Sequence, residues 1–204
     1  MYVEISPRQS GKTTRLTEAI VNYLRQDDYN RVAIVTTTIA RGKYIKEKVR
    51  KYIYDTTLPN WVGSHRNLEL LIDENYLRRI ESISDVNSLR GLTVNYYFFD
   101  DFSSIEPRKI LFNNCIIENG YYCTTPHDKR STLNMIVNHC HSNNIDINFV
   151  NPWTEARLRE QEGFANYIRE HVLNEWVQYM ENIGIDTTLK ENWIPKRVKR
   201  HKFF

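Results

Sequence analysis

The chain has 204 residues, 41% of them hydrophobic, enough for one domain with a real core and a small appendage. Its 28 basic and 25 acidic residues leave a formal net charge of +3, a surplus too small to argue for a nucleic-acid partner by itself. Three cysteines, Cys115, Cys123 and Cys140, fit no disulfide framework and point to a reducing, intracellular setting. With no signal-peptide pattern and no apolar run of about 18 residues, no membrane span is expected.

Tyr2 to Ile5 alternates in hydropathy and predicts a strand over 2–6, and helical spacing predicts a helix over 13–25. Between them runs Ser6-Pro7-Arg8-Gln9-Ser10-Gly11-Lys12-Thr13-Thr14. The pattern G-x-x-x-x-G-K-[ST] between a strand and a helix is a phosphate-binding loop, and this stretch departs from it only in carrying Ser6 for the leading glycine. Gly11 lets the backbone approach an anion, and the first amides of the helix can point at phosphate oxygens. Lys12 would face the β/γ-phosphates and the Thr13 hydroxyl would ligate Mg²⁺. Ser6, Gln9, Ser10, Gly11, Lys12, Thr13 and Thr14 are therefore the candidate ATP-binding set. The strand before and the helix after argue against an ordinary polar turn that happens to hold a lysine.

Val32 to Val35, inside a predicted strand over 31–38, is the short apolar run of a buried parallel strand. A basic helix over 40–54 carries Arg41, Lys43, Lys46, Lys48, Arg50 and Lys51. Residues 68–72 and 76–82 read as two short strands joined at Asp73-Glu74-Asn75, a hairpin. Ser88-Leu89-Arg90-Gly91 offers a sharp turn with an arginine for a phosphate or an acid, and in isolation it reads equally well as a surface turn. The aromatic strand predicted over 93–100 ends in Asp100-Asp101, which puts carboxylates at the sheet edge where open α/β folds bind ligands. With Lys12-Thr13 upstream, Asp100 is the candidate metal-side acid and Asp101 the acid that orients or activates water. Alone, the pair would be an acidic loop after a core strand.

A strand over 115–123 leads into Thr124-Thr125-Pro126, hydroxyls that can sense a γ-phosphate or simply make a turn. A helix over 131–142 and a last strand over 145–150 follow. His139-Cys140-His141 resembles a metal cluster, but neighbouring helical residues point in different directions and no second pair stands at ligand spacing, so no zinc site is expected. Helical spacing of Phe164, Tyr167, Ile168, Val172, Trp176 and Tyr179 predicts a packed helix within 154–183. Lys196, Arg197, Lys199, Arg200 and Lys202 crowd the tail, which reads equally as a nucleic-acid-binding segment or as a solvated end. The β-α alternation predicts an α/β fold, a mainly parallel sheet with helices on both faces. The expected organisation is an ATPase domain over 1–152, a helical segment over 153–184 and a basic tail over 185–204.

The order of these stations — a P-R-Q-S-G-K-T-T loop, a hairpin, L-R-G, a hydrophobic strand ending D-D, a strand ending T-T-P — resembles the ATPase domain of the large terminase subunit. That family is the motor that packages DNA into tailed-phage and related viral capsids, and the resemblance covers roughly residues 1–152. It implies a P-loop NTPase of the terminase/helicase-like ASCE type. Arg8 matches the family's loop arginine that stabilises the transferring phosphoryl group, and Thr124-Thr125-Pro126 matches the motif coupling hydrolysis to DNA movement. The family usually has Glu where this chain has Asp101, one methylene shorter, which implies slow hydrolysis or the help of a partner. Only five residues precede Ser6, leaving little room for the family's adenine-contacting segment. After residue 152 there is no room for the family's RNase H-like nuclease, so this chain is not expected to cut DNA.

The resulting expectation is a Mg²⁺-dependent ATPase coupled to viral DNA packaging or nucleic-acid translocation, with Lys12, Asp101 and Arg8 catalytic and Thr13 and Asp100 holding the metal. Double-stranded DNA is the expected partner, with a homo-oligomeric ring or a separate nuclease or portal chain beside it. In a ring, Arg41, Arg90 or Arg130 would be the candidates for an arginine supplied to a neighbour. The expected setting is the host cytoplasm or nucleus, or the virion during assembly. Two other classes fit the same loop: a small nucleoside or nucleotide kinase, and a nucleotide-dependent regulatory binding protein with weak hydrolysis.

Overall fold

The computed structural model describes residues 1–6, 11–84, 93–102, 111–112, 115–116, 119–124, 136, 138–150, 178 and 181–182. In chain order the elements are β1 (Tyr2–Ile5), α1 (Lys12–Leu24), β2 (Val32–Val35), α2 (Ile39–Thr57), α3 (His65–Asn75), β3 (Ile80–Ile83), β4 (Tyr96–Asp100), β5 (Leu111–Phe112), β6 (Cys115–Ile116), β7 (Gly120–Thr124) and β8 (Asn148–Val150). Six strands form one sheet in the order β3-β2-β4-β7-β1-β8, and every pairing in it is parallel. The chain is thus α/β, and its parallel sheet is flanked by helices.

A parallel sheet must be covered on both faces, which is why β2 is an unbroken apolar run and is wholly buried. On one face α1 lays down Leu16, Ile20 and Leu24, and α2 lays down Ile45, Val49 and Ile53, each set spaced four residues apart. They meet Val32, Ile34, Ile80, Tyr96 and Phe98 from the strands. The alternate strand residues turn to the other face, where Phe99 stacks on Tyr122 with ring centroids 4.3 Å apart and Phe102 meets Tyr122 edge-on at 5.7 Å.

The predicted hairpin at 68–82 does not form. Residues 65–75 are helix α3, with Ser64 capping its start by accepting from the Asn67 amide at 3.2 Å. Leu68 and Ile72 are buried while Leu70 between them is 52% exposed, so the burial follows the helical period and not the alternation of a strand. Asp73, read as part of a turn, lies in this helix and pairs with Arg50 of α2 at 3.1 Å. Only Ile80–Ile83 is a strand, and it joins β2 in parallel.

Arg79 explains why a buried cation sits just before β3. Its Nη1 donates to the carbonyls of Leu24, Asp27 and Asn30 at 3.2, 2.8 and 3.3 Å, tying down the end of α1 and the loop after it. The single strand predicted over 115–123 is likewise divided. Cys115–Ile116 pairs antiparallel with Leu111–Phe112 in a separate ribbon, and Gly120–Thr124 pairs in parallel within the main sheet, starting at Gly120 beside Tyr97.

Of the predicted helix over 131–142, residues 136 and 138–142 are described and helical, and the last predicted strand is observed at Asn148–Val150. Of the segment 153–184 only 178, 181 and 182 are described, all helical. The stripe from Phe164 to Trp176, Tyr179 and the tail over 185–204 lie outside the described residues.

Three tyrosines of the central strands make the fold sensitive to alkali. Burial pushes the phenols of Tyr96, Tyr121 and Tyr122 far above their ordinary value, so the folded chain keeps them neutral. An unfolded tyrosine ionises near pH 10, roughly. The folded pKa is the higher one, so this stability is full below the unfolded value and is lost as pH rises above it. Urea midpoints should hold to about pH 9 and fall steeply above about pH 10, less steeply in Tyr122→Phe. A midpoint that stays flat to about pH 11 would contradict the assignment.

Candidate functional site at the C-terminal edge of the sheet

All six strands run the same way, so the segments leaving β1, β2, β4 and β7 emerge along one edge. The candidate loop leaves β1 there. Its Ser6 amide donates to the Thr124 carbonyl at 3.0 Å, joining the loop's first residue to the end of β7. Gly11 precedes α1 with φ 81, in the left-handed region that glycine adopts without penalty, and α1 starts at Lys12. The sequence-predicted loop glycine is therefore the residue that turns the chain into the helix. Pro7, Arg8, Gln9 and Ser10 lie outside the described residues.

Ser6, which stands where the loop pattern has glycine, is fully buried and shows why a side chain is used there. Its hydroxyl donates to Glu4 Oε1 at 2.7 Å, and its carbonyl accepts from Lys12 Nζ at 3.0 Å. Glu4 is itself fully buried in β1. Arg15 of α1 donates to Glu4 Oε1 through Nε at 3.0 Å and Nη2 at 2.6 Å, and the Tyr121 hydroxyl of β7 donates to Oε2 at 2.5 Å. Strand, loop, helix and neighbouring strand converge on one carboxylate. Sequence reasoning passed over Glu4 and Arg15, although a lone acid in the apolar strand Tyr2-Val3-Glu4-Ile5 was the available signal.

Lys12 is half-buried. Loss of solvent draws its ammonium below the ordinary lysine value, while nearby Glu4 and Asp101 oppose that shift. Thr13 and Asp100, the two residues expected to hold a metal, stand at one side chain. One guanidinium touches both: Arg41 Nε donates to Asp100 Oδ2 at 2.6 Å and Arg41 Nη2 donates to Thr13 Oγ1 at 2.9 Å. Asp100 is the last residue of β4 and is 4% exposed. Its Oδ1 lies 3.7 Å from the thiol of Cys123 on β7, whose pKa is pushed well up by burial and by the charge of Asp100.

Asp101 follows with φ 55, a left-handed residue at the strand end. Aspartate tolerates that conformation better than most side chains, and the turn directs the chain sharply away from β4. Thr14 is exposed at the outside of the first helical turn, and Thr124 is buried at the end of β7 in register with Ile5. Thr125, Arg90, Arg130 and the tail residues Lys196, Arg197, Lys199, Arg200 and Lys202 lie outside the described residues.

Arg41, one of the candidates for an arginine supplied to a neighbour, bonds within this chain to Asp100 and Thr13. The sheet order explains this. β2 pairs directly with β4, so the helix that follows β2 starts beside the end of β4. Thr38 caps that helix by accepting from the Arg41 amide at 3.2 Å, and the Thr36 hydroxyl donates to the Thr38 carbonyl at 2.7 Å.

No protein-family model, curated protein or solved structure matches this chain. The chemistry available must be read from the site alone. It offers a cationic helix start at Lys12, a buried carboxylate and a threonine hydroxyl that share one guanidinium, and a second carboxylate next along the chain. A hard divalent ion fits that donor set if phosphate oxygens and water complete its shell. Among the described residues no group of three or more His, Cys, Asp or Glu forms an all-protein metal cage. No helix of the described residues is long and apolar enough to cross a membrane.

The loop's geometry can be tested without any ligand. Removing one partner of a buried ion pair leaves an uncompensated charge, so Glu4→Ala should cost about 3–5 kcal/mol in chemical denaturation. Gly11→Ala places a β-carbon at φ 81 and 3.2 Å from Arg15 Nη1. It should cost about 1–2 kcal/mol from the left-handed backbone alone. Losses below about 0.5 kcal/mol in both would mean that the loop is not anchored as described.

Proposed function

We propose that the chain is a P-loop ATPase that binds Mg-ATP at the β1–α1 loop and hydrolyses it in the service of nucleic-acid movement, in the manner of terminase-like packaging motors. The observation that carries the nucleotide site is the convergence of Lys12 and Thr13 from the start of α1 with Asp100 and Asp101 at the end of β4, on one edge of a parallel sheet. One guanidinium bonds to both Thr13 and Asp100, so the two oxygens face the same cation. The ordered motifs of the sequence support the packaging reading, and the basic tail supports a nucleic-acid partner.

On this reading the helix start and Gly11 give the backbone amides to the phosphates, and Lys12 exchanges its bond to the Ser6 carbonyl for β/γ-phosphate oxygens. Thr13 and Asp100 would hold Mg²⁺, which when bound supplies charge neutralisation across the phosphates. Asp101 accepts a hydrogen bond from the attacking water and so orients it. Arg8, by the resemblance, would be the arginine that stabilises the developing charge on the transferred group. Catalysis of this kind is mostly positioning and electrostatic stabilisation, so a small set of side chains suffices.

Steady-state ATP turnover with and without double-stranded DNA tests the assignment. Lys12→Ala should abolish turnover and weaken Mg-ATP binding. Asp101→Asn should retain nucleotide binding and lose turnover by about 100-fold or more, the usual scale for a positioned acid–base group. Asp100→Asn should lose Mg²⁺-dependent binding as well. A folded Lys12→Ala protein with normal turnover, or equal and mild effects at the two aspartates, would refute the site.

The nucleic-acid partner has its own test. Deleting residues 195–204 should leave basal turnover intact and weaken duplex binding. Every basic side chain that pairs with a DNA phosphate should, once removed, flatten the log–log salt slope by about one unit. An unchanged slope would make the tail a solvated end and shift the expected DNA-binding surface to the basic helix.

A further inference from the structure

Arg41 stands in the first turn of α2, the end of a helix where the macrodipole disfavours a cation. Its guanidinium turns inward all the same, to Asp100 Oδ2 and Thr13 Oγ1. Those are the two residues assigned above to the metal. We propose that Arg41 is an internal counter-ion at the divalent-cation position, so that metal and guanidinium exclude one another at Thr13 and Asp100. The inference rests on the metal-side assignment of those two residues.

Three features support it. Asp100 is 4% exposed, and a charged carboxylate so buried is stabilised strongly by a positive partner. The arginine side chain is 39% exposed, so it can leave for solvent without burying a charge elsewhere. The exposed side of the guanidinium already has a partner that does not depend on Asp100: its Cζ lies 5.2 Å from the ring centre of Tyr44, itself 47% exposed. The capped helix start at Thr38 holds the backbone, so the exchange is one of side-chain rotation.

Exchange of this kind links metal entry to a change on the surface of α2. An entering divalent ion satisfies Asp100 and repels the guanidinium, which gives up its bonds to Asp100 and Thr13 and turns out to solvent. Lys48 lies over the same ring, with Nζ 5.5 Å from its centre, so two cations share that outer face and release of the arginine changes the charge presented there.

The test uses Mn²⁺ as a spectroscopic replacement for Mg²⁺, titrated into the full nucleotide-free chain and followed by electron paramagnetic resonance. Arg41→Gln keeps much of the side-chain length and removes the charge. It should bind Mn²⁺ about tenfold to a hundredfold more tightly than the wild type, the equivalent of one charge-assisted hydrogen bond. Adding Asp100→Asn should erase the gain. Arg41→Lys keeps the charge without the two-armed bridge and should show a smaller gain, which preserves the test if the glutamine variant fails to fold.

A folded Arg41→Gln chain that binds Mn²⁺ no better than wild type would overturn the counter-ion, and so would a gain that survives Asp100→Asn. If the glutamine variant does not fold, the absence of any gain in Arg41→Lys would overturn it too. Calorimetric ATP binding in wild type and Lys12→Ala separates this from the ATPase reading. Lys12-dependent ATP binding with no Mn²⁺ gain would sink the counter-ion alone. A Mn²⁺ gain without ATP binding would sink the ATPase reading and leave the cation competition standing.

Discussion

A fully buried carboxylate in a central strand is the constraint around which this edge of the molecule is arranged. Glu4 cannot lie unpaired between β7 and β8, because an isolated charge in a sheet interior is too costly to keep. It is satisfied from three sides, by Ser6 at the start of the loop, Arg15 one turn into α1 and Tyr121 on β7. Each bond ties a different segment to β1. The loop is thereby held at both ends, at Ser6 by this network and the Thr124 carbonyl, and at Gly11 by the turn into the helix.

A second carboxylate repeats the logic further along the same edge. Asp100 closes β4 and is met by Arg41 from α2. The two ion pairs differ in one respect that bears on function. Arg15 is only 10% exposed, enclosed with its acid, whereas Arg41 is 39% exposed and also reaches the Thr13 hydroxyl. A closed pair fixes structure. A half-open pair can be exchanged for another cation, because the displaced partner regains water as it leaves. The first therefore behaves as the frame of the site and the second as its movable part.

Several elements show how far hydropathy carried. The loop between Ile5 and Lys12, the strand ending at Asp100 and the buried run of β2 were legible because each has a local signature: glycine before a helix, an aromatic run closed by acids, four consecutive apolar residues. Residues 65–75 were misread because Leu68 to Ile72 is short and mostly apolar, and periodicity cannot separate a strand from a helix over so few positions. The helix is settled by its Ser64 cap and by Leu68 and Ile72 packing beneath it while Leu70 faces out. The divided segment at 115–124 is the same difficulty reversed.

What the sequence determined by itself was the α/β alternation, the loop with Gly11, Lys12 and Thr13, and the presence of two acids at the end of one strand. These depend on neighbours along the chain, through backbone conformation and periodicity. What only the tertiary structure decided was which distant residues share the edge. Parallel pairing of β2 with β4 brings Arg41 to Asp100, 59 positions away, and pairing of β1 with β7 brings Tyr121 to Glu4, 117 positions away. Strand order sets those contacts, and it is chosen by how whole faces pack, a quantity that no local pattern encodes.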